Sequence, residues 1–166
     1  MIVVSDTSPI TNLVAIGQLD LLRQLYGSIV IPQAVYTEMA GAGKPVPGAV
    51  EVKTLPWFQV QTVTDDQGAI ALQTRQQNID VGEAEAILLA VELKADLILM
   101  DERRGRALAT HYGLNLIGLL GVLLQAKQNT LIPSVKILMD QLIEMANFRV
   151  SRQLYSMVLK AAREDG

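Results

Sequence analysis

Four carboxylates in this 166-residue chain stand where they could act together, and few other reactive groups compete with them. The apolar run Met1-Ile2-Val3-Val4-Ser5 stops on Asp6, and Leu97-Ile98-Leu99-Met100 stops on Asp101. Glu38 follows Ala34 and Val35 by four and three residues, which on a helix puts it on an apolar stripe. Glu83 opens the segment Gly82-Glu83-Ala84-Glu85-Ala86-Ile87 and shares a helical face with Ala86, Ile87 and Ala90. Cysteine is absent and His111 is the single histidine, which excludes thiol chemistry, Cys-based zinc sites and most His-based catalysis.

Acids gathered in one crevice repel one another and are driven toward protonation unless a cation joins them. Oxygen-only ligation selects hard cations, chiefly Mg2+ or Mn2+. The chemistry that uses such a cluster is phosphodiester hydrolysis, in which the cation activates water and neutralises charge developing at phosphorus and on the leaving oxygen. Each acid also has a plainer reading. Asp6 and Asp101 are good helix caps, Glu83 suits the positive end of a helix dipole, and Glu38 could pair with an Arg. Glu85 rivals Glu83, although its face carries Leu88, Leu89 and a second acid, Glu92.

The elements that must position these acids alternate along the chain. Both apolar runs have the continuous β-rich character of strands buried on two faces of a parallel sheet, whose carboxyl ends are where ligands bind. Ser8-Pro9 reads as a helix start, with the hydroxyl at the cap and proline first in the helix, followed by helical segments Ile10 to Ile16 and Leu19 to Tyr26. Ser28 to Ile31 reads as a strand and Pro32 to about Ala40 as a helix; Gly41 to Gly48 is the richest loop signal. Phe58 to Val63 alternates with period two, as an edge strand does, and a polar helix is expected from Asp66 to Gln77. Further helices are expected at Gly82 to Lys94, Arg103 to Tyr112, Leu119 to Lys127, Ser134 to Met145 and Ser151 to Arg163, with strands at Leu97 to Met100 and Asn115 to Ile117. This order predicts a three-layer α/β/α, Rossmann-like fold around a mostly parallel sheet of about four to five strands. One domain over 1–166 is expected, with 131–166 as C-terminal helices packing on it.

Charge and hydropathy narrow the partners. A net charge of −3 confines any nucleic-acid contact to a local patch, and Arg103, Arg104 and Arg106 form the obvious one. Cations in a helix's first turn oppose its dipole, so they call for a negative neighbour, either Glu102 and the acids or a bound phosphate backbone. No apolar stretch approaches ~18 residues and no signal peptide is evident, so a cytoplasmic chain without a membrane span is expected. Apolar stripes at Leu131, Val135, Leu138, Met139, Leu142 and Ile143, and at Leu154, Met157, Val158 and Ala161, suit a core as readily as a dimer surface.

Across nearly its whole length the chain resembles PIN-domain proteins, the fold of VapC-type toxin ribonucleases, and among them a compact group that opens with Asp-Thr-Ser-Pro. The matching pieces are Asp6-Thr7-Ser8-Pro9, Ile31-Pro32 with Val35 and Glu38, Gly82 to Ile87, Leu99 to Arg106, Gly118 to Gly121 with Leu123 and Ala126-Lys127, and Phe148-Arg149-Val150-Ser151. The resemblance implies an Mg2+- or Mn2+-dependent endoribonuclease, the toxin of a toxin-antitoxin pair, with RNA as substrate, an antitoxin as partner and a homodimer as the assembly. It assigns metal ligation and catalysis to Asp6, Glu38, Glu83 and Asp101, with Thr7 and Ser8 supporting the first acid. Two departures stand out: the third acid is Glu where many relatives have Asp, and Met100 stands where many have Thr.

Overall fold

The computed structural model describes residues 1–41, 43, 46–64, 68 and 79–165. Its sheet has five parallel strands: β1 (Val3–Ser5), β2 (Ile29–Pro32), β3 (Phe58–Gln61), β4 (Leu97–Leu99) and β5 (Leu116–Ile117), in the order β3-β2-β1-β4-β5. Side chains alternate through the sheet and divide the core in two. Val3, Ile29, Ile31 and Leu99 face one layer, which holds helices α1 (Thr7–Ala15), α2 (Asp20–Tyr26), α7 (Leu119–Gln128) and α8 (Val135–Ala146), with α9 (Arg152–Ala161) outside them. Val4, Val30, Ile98 and Met100 face the other, built from α5 (Val81–Leu93) and α6 (Arg103–His111). The three-layer α/β/α architecture is therefore present, and strands buried on both faces explain why β1 and β4 read as unbroken apolar runs.

Chain direction makes the crevice. From β1 the chain leaves through α1 and α2 on one face toward β2; from β4 it leaves through α6 on the opposite face toward β5. The helices thus part above the carboxyl ends of β1 and β4, the switch point at which open α/β sheets bind ligands.

Several boundaries depart from expectation. Helix α1 starts at Thr7 with Asp6 in the cap position, so Ser8 is inside the helix and Pro9 is its third residue. Proline is tolerated there because first-turn N–H groups have no intrahelical partner. Pro32 ends β2 rather than opening a helix, pairing in register with Gln61. The helix that follows, α3 (Gln33–Tyr36), widens into a π-helical turn over Thr37–Gly41. A short helix, α4 (Ala49–Thr54), carries no helical signal in its β-branched sequence and is anchored by buried Val52. The helix expected from Asp66 to Gln77 lies outside the described residues. No helix among the described residues is long and apolar enough to cross a membrane.

Candidate active site

Asp6 is held at the floor of the crevice by its own backbone. Its N–H donates to the Leu99 carbonyl at 3.1 Å, tying the end of β1 to β4. The side chain, 4 % exposed, makes no capping hydrogen bond although the residue occupies the cap position of α1. Burial raises its pKa most, the neighbouring Thr7 N–H counters, and the charges of Glu83, Asp80 and Glu38 raise it further, from 3.8 to about 7. An acid so poised is a carboxylate in want of a positive partner.

The amino end of α5 supplies two more acids. Asp80 Oδ1 accepts from the Glu83 N–H at 2.8 Å, and Glu83 Oε2 accepts from the Asp80 N–H at 3.0 Å, a reciprocal capping box. Glu83 thus caps its helix and is buried in the crevice as well; burial is the first cause that lifts its pKa, with Asp80, Glu102 and Glu38 adding to it. Glu85 points elsewhere, accepting from the Ala34 N–H at 3.1 Å and so tying α5 to α3. Gly82 lets the elements close up: a Cβ there would lie 3.2 Å from Glu38 Oε2 and 3.4 Å from Asp80 Oδ1.

Glu38 is exposed at the rim rather than buried on the apolar stripe; Val35 and Met39 fill the core instead. The π turn carries it to the crevice mouth, where Thr7 Oγ1 donates to its Oε2 at 2.9 Å. Such turns recur at functional sites because they displace one side chain from the regular helical register.

Asp101 and Glu102 part company at the end of β4. Asp101 does not line the central crevice, and its Oδ1 accepts from the Leu119 N–H at 3.0 Å. It thereby caps α7, whose own cap residue, Gly118, has no side chain to do so. Burial raises the Asp101 pKa, opposed by that N–H and by Arg106. Arg106 goes with Asp101: its Nη1 donates to the Met100 carbonyl at 3.0 Å, away from Arg103 and Arg104. Glu102 is the neighbour that enters the crevice.

The cavity that results measures about 590 Å³ and is lined by five acids: Asp6, Glu38, Asp80, Glu83 and Glu102. Thr7, Ser8 and Thr11 add hydroxyls, and Arg103 and Arg104 stand on its wall without an ion pair among the described residues. Ser8 Oγ is buried and has no hydrogen-bond partner among the described residues. A donor set of carboxylates and hydroxyls, with mutual repulsion already raising two pKa values, fits a hard divalent cation. Among the described residues no three acids stand close enough to hold one as they are placed. Asp80 and Glu102 were not among the residues expected here. Asp80-x-x-Glu83 is the capping-box spacing, and Glu102 directly follows the expected Asp101.

A family model described as a PIN domain matches residues 2–164, nearly the whole chain. No curated protein matches the sequence.

Proposed function

The chain belongs to the PIN-domain family, a nuclease-type fold whose members generally use divalent metal ions, and on that premise we propose that it is a metal-dependent ribonuclease hydrolysing RNA phosphodiester bonds. The observation that carries the reading is the convergence of five acids on one cavity at the switch point of a parallel sheet. Asp6, Glu38, Asp80, Glu83 and Glu102 would hold Mg2+ or Mn2+, with Asp101 supporting the floor from behind through α7. The cation, when bound, supplies activation of water and neutralisation of developing negative charge.

The chain's own groups do the rest. Asp6, its pKa raised to about 7 chiefly by burial, offers its carboxylate to a cation as the pH rises through neutrality. Thr7 fixes the Glu38 carboxylate through its hydroxyl hydrogen bond. Arg103 and Arg104, on the cavity wall, grip backbone phosphates and align the strand across the acids. A toxin of a toxin-antitoxin pair, active in the cytoplasm as a single-domain homodimer and restrained by an antitoxin protein, completes the reading.

A second reading is a catalytically silent nucleic-acid-binding module. It is favoured by one observation, that no three acids among the described residues stand within joint reach of an ion. Incubating the protein with a mixed RNA pool and Mn2+ separates the two. Cleavage that starts with Mn2+ and stops with a chelator supports the nuclease; RNA binding without cleavage at any Mn2+ concentration supports the silent module.

A further inference from the structure

A smaller pocket of about 400 Å³ opens directly off the acidic cavity, sharing Ser8 and Glu102 with it. Its volume lies in the range of small-ligand sites, about 300–1,000 Å³. Its wall differs in chemistry from the cavity. It is made by Asn12 of α1, by Asp101, and by the turn Asn147-Phe148-Arg149 between α8 and α9. Asn147 ends α8 in the left-handed conformation, φ 54° and ψ 33°, and the Phe148 N–H closes the turn on the Leu142 carbonyl at 3.0 Å. That reversal places Phe148 and Arg149 on the wall of the pocket.

Phe148 also packs against the core, but the polar groups beside it are largely unengaged. Among the described residues the side chains of Asn12, Asn147 and Arg149 make no hydrogen bond or ion pair. Ser8 Oγ and Asp101 Oδ2, both from wall residues, are buried without partners among the described residues, and such atoms are rare in folded proteins. Two amides can read the edge of a base, an aromatic ring can stack on its face, and an exposed guanidinium can hold the adjoining phosphate. Resting on the nuclease reading above, we propose that this pocket is a nucleobase subsite. It takes one unstacked base of a single-stranded RNA next to the phosphate in the acidic cavity, with Asn12 and Asn147 as edge readers, Phe148 as the stacking surface and Arg149 on the phosphate.

Binding of labelled single-stranded RNA hexamers, each set fixed at one position and random elsewhere, tests this by anisotropy in Ca2+ without relying on cleavage. The wild-type chain is expected to prefer one base at one position. Arg149→Ala and Asn12→Ala should each weaken binding by about tenfold, and Asn12→Ala should also flatten that preference. Asn147→Gly keeps the left-handed turn while deleting the amide, and serves if Asn12→Ala does not fold. Wild-type affinity and preference in every variant would overturn the proposal and leave the pocket to a protein partner. Weaker binding with an unchanged preference would overturn the base-reading role. A chain that cleaves no RNA yet shows the predicted losses would defeat the nuclease reading and leave the subsite standing.

Discussion

Thr7 Oγ1 donates to Glu38 Oε2 at 2.9 Å, joining the residue after the β1 aspartate to the π turn beyond β2. The bond holds a rim carboxylate toward a cavity it could otherwise swing out of. Hydroxyls that orient metal-binding carboxylates typically matter by 10–100-fold in metal affinity or activity. Thr7→Val is therefore expected to lower Mn2+ affinity by about tenfold at unchanged thermal stability, and Thr7→Ser to restore it. Titration calorimetry of the three proteins checks this.

Asp6 should make cation binding and stability depend on pH in opposite senses. With its pKa raised to about 7, the acid must lose a proton to bind a cation below that pH, so Mn2+ affinity should fall roughly tenfold per unit as the pH drops below 7. For the metal-free protein the sign reverses. A folded-state pKa above 3.8 contributes stability that is fully present below about pH 3.8 and lost as the pH rises through about 7. Asp6→Asn should raise the melting temperature of metal-free protein above pH 7 and lose that advantage under acid conditions. Melting curves across pH, with and without Mn2+, measure both effects.

Glu102 and Asp101 are adjacent in sequence, but only Glu102 lines the acidic cavity, which separates their mutants. Glu102→Gln is expected to weaken Mn2+ binding by about tenfold or more with little change in stability. Asp101→Asn keeps the oxygen that accepts from Leu119 and is expected to leave Mn2+ affinity within about twofold, because the residue does not line the acidic cavity. The reverse pattern would return the fourth acid to position 101.

Glu164 clamps the end of the chain. It accepts from Lys127 Nζ at 2.7 Å, Ser134 Oγ at 2.9 Å and the Val135 and Lys136 N–H groups at 2.8 and 3.1 Å. Burial would raise its pKa, yet these four donors hold it at about 2 against 4.5. A depressed carboxyl contributes stability above its unfolded pKa and loses it as the pH falls through the folded one. The wild-type melting temperature should drop between about pH 4.5 and 2, and Glu164→Gln should make that slope shallower, leaving the part due to Asp20 and Asp140, while sparing Mn2+ binding.

The strands were legible in the sequence because burial on both faces leaves an unmistakable apolar run, and Asp6 with it, since β1 ends one residue before the acid. The second apolar run extends to Met100, one residue past the end of β4 at Leu99, and the Met100 N–H still donates to the Ile117 carbonyl at 3.1 Å. Successive side chains point to opposite faces, so which of Asp101 and Glu102 enters the crevice depends on the backbone beyond that end. Glu38 lines the cavity from an exposed π turn and not from the apolar stripe that helical spacing predicts, because that spacing does not foresee such a turn. A helix start at Gly82 leaves Asp80 outside the site, whereas the helix begins at Val81 with Asp80 as its cap, marked by the three-residue spacing to Glu83. Glu83 was chosen over Glu85 from the small residues on its face, and its helix does press those residues into the core.

The central claim is that the acidic cavity cleaves RNA through a divalent cation held partly by Asp6. Single-turnover cleavage of a mixed RNA pool in Mn2+ by the wild-type chain and by Asp6→Asn tests it most directly. Removing a ligand that helps place several kcal/mol of charge stabilisation should slow cleavage by about 100-fold or more, while the variant stays folded. Equal rates for the two proteins would contradict the account.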